Sequence, residues 1–543
     1  MKLNRNSITG QSRQAWIDAG FRLPEFNMEE VQERTLEEPN WIHFGAGNIF
    51  RAFPAAALQN LLDQGTADRG VIAVSGFGAE SIDKTYHPYD DLSVLVTMKA
   101  DGSLEKTVVA SVMKSLVLDR SRTEDFSWLK EAFRKDSLQM ISVTVPEKGY
   151  KLVDADGHHM AGVEADFAAG PEASQHYMSK LAALCYERFL AGSKPLALVS
   201  MDNFSHNGER LREAVTAFAQ EWENRGLVET GFTAYLNDAS KITFPWSMID
   251  KITPGPSEAA EEALHHAGLE DAGRIRTSRG SWIAPYVNAE EPQYLIIEDA
   301  FPNGRPVLEE RGILFTDRKT VDLVERMKVC TCLNPLHTAL AVFGCLLGYT
   351  RIAQEMKDSL LENMVKKLGY EEGMPVVADP GILKPEDFLA EVIEERLTNP
   401  FLPDSPQRIA MDTSQKLPIR FGETVKAYLA DPAMDAGSLT VIPLVFAGWM
   451  RYLLALDDNL NVFEVSSDPL YDSMKPYVAG LKPGCREEEA AEALRPIMEN
   501  SSIFGVNLYE AGLAEKVLTM FCEMMEGTGA VRKTLEKYIL TDK

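Results

Sequence analysis

The stretch Trp41-Ile42-His43-Phe44-Gly45-Ala46-Gly47-Asn48-Ile49-Phe50-Arg51 decides the fold. Its first four residues read as a short strand and Gly45-Ala46-Gly47 as a tight turn. From Asn48 a helix follows, with Phe53, Ala57, Leu58, Leu61 and Leu62 as its apolar face. Such a strand–turn–helix lets a pyrophosphate approach bare backbone at Gly45 and Gly47. It then rests on a helix N-terminus, where N–H donors and peptide dipoles favour an anion. Phe50 replaces the third glycine of the dinucleotide fingerprint, so the turn alone fits a plain tight turn equally well. Context favours the dinucleotide, because a second strand, Val71–Ser75, arrives where a βαβ unit requires it. The expected cofactor contacts are Gly45, Ala46, Gly47, Asn48, Ile49, Phe50, Arg51 and Ser75. The second strand ends in Ser75-Gly76-Phe77, with neither an acid for the ribose nor an arginine for a 2′-phosphate. NAD and NADP therefore both stay open.

Outward from this turn the chain changes texture once. From about residue 40 to 315, short β-branched runs (41–44, 71–75, 94–98, 141–145 and 196–200) alternate with longer amphipathic stretches. That pattern predicts βαβ units and a mostly parallel sheet. From about residue 320 apolar residues recur at three- and four-residue spacing, which predicts helices. We therefore expect a peripheral extension over 1–38, an α/β Rossmann-type dinucleotide-binding domain over 39–318, and a mostly α-helical substrate and catalytic domain over 319–543. The acidic stretch 257–273 reads as a surface helix or insertion.

Composition narrows the function classes. The chain has 543 residues, 55 Lys+Arg and 81 Asp+Glu, for a net charge of −26. A balance that acidic argues against a nucleic-acid surface, which needs clustered cations. With 45% hydrophobic and 25% charged residues, the chain reads as an ordinary globular protein. Six unevenly spaced cysteines fit reduced thiols in a cytoplasmic protein better than a disulfide scaffold. The N-terminus lacks an apolar core behind its basic residues, so no signal peptide is expected. The two most apolar stretches, 338–349 and 439–450, fall short of the roughly 20 residues a spanning helix needs. No membrane partner is expected.

The second informative segment is Val324-Glu325-Arg326-Met327-Lys328-Val329-Cys330-Thr331-Cys332-Leu333-Asn334-Pro335-Leu336-His337. In one continuous helix Lys328 and His337, nine residues apart at about 100° each, would point in opposite directions. Pro335 pushes its predecessor out of the α region, which predicts that the first helix ends at or before Asn334. A second helix then starts with Pro335 in its first position. Across that break Lys328, Asn334 and His337 can converge, with Glu325 one turn before Lys328 on the same face. These residue types suit hydride transfer at a carbinol. A desolvated lysine exchanges a proton near neutral pH, an asparagine amide donates to a developing oxyanion, and a histidine orients a neighbouring hydroxyl. Structural readings compete: Asn334 as a helix N-cap, Lys328 as a surface lysine, Cys330, Cys332 and His337 as core. The Cys-x-Cys…His set lacks a fourth ligand at metal spacing, so no metal is expected.

Together these segments resemble the long-chain mannitol dehydrogenase family, from about residue 40 to at least 450. Further blocks carry the likeness: Glu147-Lys148-Gly149-Tyr150, Ser200-Met201-Asp202-Asn203 with His206-Asn207-Gly208, and Phe244-Pro245-Trp246-Ser247-Met248-Ile249-Asp250-Lys251-Ile252-Thr253-Pro254. Arg408-Ile409-Ala410-Met411-Asp412 through Ser414-Gln415-Lys416-Leu417-Pro418 completes the set. The resemblance implies a metal-free enzyme with a Rossmann-type domain and a helical domain, its site between them. It places the general acid/base on Lys328, the oxyanion-stabilising pair on Asn334 and Asn203, and a substrate-hydroxyl contact on His337. Substrate binding falls on Arg408 and Lys416, and a proton gate on Glu325. Three departures stand out. Lys328 and Asn334 are one residue further apart than in the mannitol enzymes, Trp246 replaces an asparagine, and the strand-end acid of NAD-specific members is not evident.

The expected activity is NAD(P)-dependent interconversion of a keto sugar acid and its sugar acid, D-fructuronate and D-mannonate first. A substrate carboxylate needs cations, for which Arg408, Lys416 and Arg51 are the candidates. The competing role for Arg408 and Lys416 is an interdomain salt bridge. Mannitol/fructose or tagaturonate are the alternative substrates, and a non-catalytic dinucleotide sensor is a remote alternative. The acidic surface and the family's habits point to a monomer.

Overall fold

The apolar runs of the first half become buried strands. The computed structural model describes residues 1–540. These form two units: Met1–Lys99 with Ser103–Asp322, and Ala100–Gly102 with the chain from Leu323 onward. In the first, six parallel strands make one sheet: β1 (Trp41–Phe44), β2 (Val71–Ser75), β3 (Val112–Val117), β4 (Met140–Val143), β5 (Leu196–Ser200) and β6 (Ile242–Thr243). Their spatial order, β3-β2-β1-β4-β5-β6, is that of the doubly wound dinucleotide-binding fold.

Every residue of β1, β2, β4 and β5 is buried, as a parallel sheet covered on both faces requires. The two-residue period sorts the side chains. Ile42, Phe44, Ile72, Val74, Ile141 and Val143 enter one apolar layer with the helices Tyr177–Leu190 and Asn207–Asn224. Trp41, Val71, Ala73, Met140, Ala197 and Val199 enter the other, with Phe50, Phe53, Leu58 and Leu62. The helix expected after the glycine turn is two helices, α1 (Asn48–Ala52) and α2 (Pro54–Asp63). Phe53 stands between them at φ −129° and ψ −76°, displaced from the helical region by the following proline.

Two expectations need correction. The strand near residues 94–98 exists as Ser93–Met98, but it lies outside the parallel sheet. It belongs to a four-stranded sheet with Phe21–Arg22, Leu104–Val109 and Tyr286–Glu290. Residues 1–38 are not peripheral: Leu3, Ile8, Trp16 and Phe21 are buried against Val94, Val108, Leu264 and Tyr286. Phe21 and Arg22 pair in parallel with Lys106 and Thr107, and this short, polar-flanked pairing left no periodic signal. The acidic stretch does form a surface helix, Glu258–His266, capped by the Ser257 side chain and buried at Ala260 and Leu264.

The second unit is helical around α3 (Asn334–Leu347) and α4 (Val441–Tyr452), the latter buried at every residue. The two helices touch where a Cβ on Gly448 would lie 2.8 Å from Phe343, so glycine permits the close approach. Four π-helical segments interrupt the unit: Lys328–Cys332, Lys367–Gly373, Val392–Arg396 and Pro418–Gly422. With the first of them included, the run Arg318–Leu347 is long and apolar enough to cross a bilayer, which the short stretches read from sequence did not suggest. Yet 78% of its most apolar window is buried inside the molecule, the place of a core helix.

Candidate active site

In the first unit the glycine turn sits at the carboxyl end of β1, beside β4, where the strand order reverses direction and ligands of this fold lie. Gly45 has φ +144°, and a Cβ there would meet Thr144 Oγ1 at 2.2 Å and its carbonyl oxygen at 2.3 Å. Only glycine fits. Gly45 N–H donates to Val74 O at 2.8 Å and Gly47 N–H to Gly45 O at 2.8 Å. Beneath the turn, His43 Nδ1 lies 2.7 Å from Ser142 Oγ and Nε2 lies 2.8 Å from Thr144 Oγ1, which in turn donates to Gly45 O. Burial pushes the His43 imidazole down to about 3, so the ring is neutral. A Cβ on Gly47 would meet nothing within 4 Å.

The other residues expected to touch a cofactor divide into two groups. Asn48 Nδ2 donates to Pro254 O at 3.1 Å, and Ile49 follows it in α1. Phe50 and Arg51 do not face outward. Phe50 is fully buried and stacks on His43 at 4.0 Å with the rings 6° apart, filling the space a third glycine would leave. Arg51 is 3% exposed, donates to Ala284 O at 2.8 Å and to Asn48 Oδ1 at 3.0 Å, and so orders the turn. As a cationic partner for a substrate carboxylate, Arg51 is withdrawn: its guanidinium is committed inside its own unit. Ser75 Oγ donates to Gly78 O at 2.7 Å and receives the Ser81 hydroxyl at 3.2 Å.

Asn203 lies on the exposed turn after β5, next to a half-buried carboxyl that the sequence did not single out. Asp202 Oδ1 accepts Val145 N–H at 2.9 Å, and Oδ2 accepts the Tyr150 hydroxyl. Asn207 Nδ2 donates to Asp202 O at 2.8 Å and to Ser247 O at 2.9 Å. The ends of β4 and β5 are thereby locked together. Burial outweighs those donors and raises the Asp202 carboxyl to about 7. Trp246 stacks on His206 at 4.2 Å, and His206 holds φ +55° at the start of the helix that follows.

In the second unit the first helix ends before Asn334, as expected, and the second helix starts at Asn334, one residue ahead of Pro335. Leu333, at φ −128° and ψ −61°, separates the π segment from α3, and Asn334 is the first residue of α3 with Pro335 behind it. Asn334 is therefore not the N-cap. Lys328, 3% exposed, opens the π segment, and its carbonyl accepts Leu333 N–H at 3.1 Å, the five-residue step of a π turn. Lys328 is a buried lysine, not a surface one. Glu325 stands half-buried in the preceding helix, one turn away.

His337 Nε2 lies 3.5 Å from Asp404 Oδ2 but makes no hydrogen bond, although it is buried. Burial lowers its pKa to about 4 despite the pull of Asp404, and Arg420, Arg408 and Arg396 add to the lowering, so the ring is neutral at pH 7. Arg408 pairs with Asp404 four residues earlier, within its own unit. Lys416 donates to the carbonyls of Ile409, at 2.9 Å, and Met411. Burial, with Arg420 nearby, lowers Lys416 to about 8. These contacts all lie within the second unit. Arg420 was missed from sequence: its Nη1 donates to Thr338 Oγ1 at 2.5 Å and to Asn334 O at 3.4 Å. The structure thus gathers Asn334, His337, Arg408, Lys416 and Arg420 around the first turn of α3.

Two family models cover nearly the whole chain: the mannitol dehydrogenase Rossmann domain over residues 39–310 and the mannitol dehydrogenase C-terminal domain over 320–525. The chain belongs to the mannitol dehydrogenase family. Among its relatives, the D-mannonate oxidoreductase of Thermotoga maritima is 52% identical over 541 residues, covering 99% of each chain. A solved D-sorbitol dehydrogenase matches the fold with a TM-score of 0.79 at 23% identity, over 98% of this chain and 100% of that one. Mannitol 2-dehydrogenase of Pseudomonas fluorescens, solved with NAD and D-mannitol, matches with a TM-score of 0.69 at 23% identity, over the full length of both.

Proposed function

We propose that this chain is an NAD-dependent oxidoreductase that interconverts a keto sugar acid and its sugar acid, D-fructuronate and D-mannonate. The observation that carries the choice of an acid over a neutral polyol is charge. In a chain of net charge −26, Lys416 and Arg420 are partly buried beside Arg408 and His337. Neither has a carboxylate within ion-pair distance among the described residues. Burying a cation is costly unless an anion meets it, and a substrate carboxylate is such an anion. The full-length likeness to a D-mannonate oxidoreductase supports the same substrate.

The glycine turn fits the cofactor, since positive-φ Gly45 and the open space at Gly47 leave bare backbone for a pyrophosphate. The residues that would hold it are Gly45, Ala46, Gly47, Asn48 and Ile49. The nicotinamide cofactor, when bound, would supply the hydride as NADH or accept it as NAD+. The remaining chemistry belongs to side chains. In reduction, the protonated Lys328 amine gives its proton to the substrate oxygen while Asn334 and Asn203 amides donate hydrogen bonds to it. In oxidation the lysine takes the proton back, with Glu325 passing it onward. Neutral His337 offers its unbonded Nε2 to a substrate hydroxyl, and the Lys416 ammonium attracts the carboxylate, while Arg408 is already paired with Asp404.

The test is spectrophotometric. NADH and NADPH oxidation is followed with D-fructuronate, D-tagaturonate and D-fructose. Faster turnover of D-fructuronate, with NADH, is the expected outcome. A clear preference for D-fructose would overturn the choice of substrate.

A further inference from the structure

We propose that Arg420 is a specificity-determining residue of this enzyme, one that binds the substrate's carboxylate directly and so separates keto sugar acids from neutral keto sugars. The proposal rests on the sugar-acid reading above and assigns a further residue to it. Arg420 lies in the π segment Pro418–Gly422, which packs against the π segment opened by Lys328. Thr424 Oγ1, in the helix that follows, donates to Cys330 O at 3.4 Å and ties that helix to the segment opened by Lys328. Regular α-helices would send i and i+4 side chains along one face. A π turn widens the helix by one residue and re-aims the side chains within it, which is why such turns gather at functional sites.

The guanidinium is oriented by one edge only. Nη1 is held by the Thr338 hydroxyl and the Asn334 carbonyl, on the first turn of α3, next to His337. Those two partners are neutral oxygens of the helix that carries Asn334 and His337. No hydrogen bond from Nε or Nη2 and no ion pair with a carboxylate is made among the described residues. Arg408 differs, because Asp404 already neutralises it. Lys416 differs too, because two backbone carbonyls fix its ammonium. Arg420 is thus the cation of this cluster whose planar fork remains available to an anion, and a fork matches a carboxylate in two-pronged fashion where an ammonium cannot. Burial lowers its pKa to about 10, still charged at neutral pH and short of an anionic partner.

The experiment compares Arg420→Gln and Arg420→Lys with the parent enzyme, using NADH with D-fructuronate and with D-fructose as separate substrates. Protein fluorescence quenching by NADH checks that each variant is folded. For Arg420→Gln we expect kcat/KM for D-fructuronate to fall roughly 50-fold, mostly through KM, with that for D-fructose changed less than about threefold. Arg420→Lys, which keeps the charge but loses the fork, should fall by roughly tenfold on D-fructuronate alone. Equal losses on both substrates in the folded variants would overturn the proposal and leave Arg420 a support for Asn334. No loss on either would overturn it as well. If Arg420→Gln does not bind NADH, the Arg420→Lys ratio of the two substrates decides by the same criterion. A parent enzyme that prefers D-fructose sinks the sugar-acid reading itself, a result distinct from either failure of Arg420.

Discussion

Beneath Gly45 the polar groups are neutral and paired; around His337 they are charged and partly unpaired. His43, Ser142 and Thr144 form a closed ladder whose last member fills the place of a Cβ on Gly45. At the start of α3, by contrast, Lys416 and Arg420 have no carboxylate partner, and His337 Nε2 no hydrogen bond, among the described residues. The first arrangement fixes backbone shape, all that a pyrophosphate needs from a glycine turn. The second stores electrostatic demand, which an anion would satisfy. The difference teaches that shape and charge are assigned to separate units of one chain, and that each can be broken without the other.

The largest expected effect separates chemistry from cofactor binding. Lys328→Ala should lower kcat by about 10³-fold, the typical worth of a positioned acid/base group, while NADH still quenches protein fluorescence. Turnover that survives the change would remove Lys328 from its role. The converse change is Gly45→Ala. With atoms at 2.2 and 2.3 Å from the new Cβ and a positive φ, we expect a loss of roughly 2–4 kcal/mol in stability, together with loss of NADH binding in titrations. Unaltered NADH affinity would show that the ladder beneath the turn serves packing alone.

Smaller effects come from two carboxyls, one in each unit: fully buried Glu355 and half-buried Asp202. Glu355 is fully buried against Gly344 with neither oxygen hydrogen-bonded, and burial raises its pKa well above the usual value of 4.5. A raised carboxyl favours the folded state below its unfolded pKa and costs stability as pH rises above it. In urea denaturation from pH 5 to 8, the parent should lose up to about 1.4 kcal/mol per pH unit relative to Glu355→Gln. Parallel pH profiles would mean that Glu355 is not protonated in the fold. Asp202 has the same sign but is hydrogen-bonded, and its pKa reaches about 7 from 3.8. Its contribution is complete below pH 4 and lost as pH rises through 7. Asp202→Asn should therefore flatten the stability profile between pH 4 and 7 and leave the slope above 7 unchanged.

Legibility followed the range of the interactions. The strands 41–44, 71–75 and 196–200 were readable because burial on both faces demands continuous apolar runs. The N-terminal 38 residues misled because their pairing partner, Leu104–Val109, is distant in sequence and Phe21–Arg22 is a two-residue strand. Pro335 signalled a helix break at or before Asn334, and the break falls at Leu333, after the π segment from Lys328. Arg420 carried no spacing signal, since its meaning comes from Thr338 and Asn334, some 80 residues earlier.

By itself the amino-acid order determined the parallel sheet, the bare-backbone turn and the residue types assembled near Lys328, because periodicity and steric permission are local properties. Tertiary structure decided which cations are neutralised and which are not. It withdrew Arg51 into the core, paired Arg408 with Asp404, and left Arg420 with a free edge. Charge compensation depends on distance and burial, and those exist only once the chain has folded.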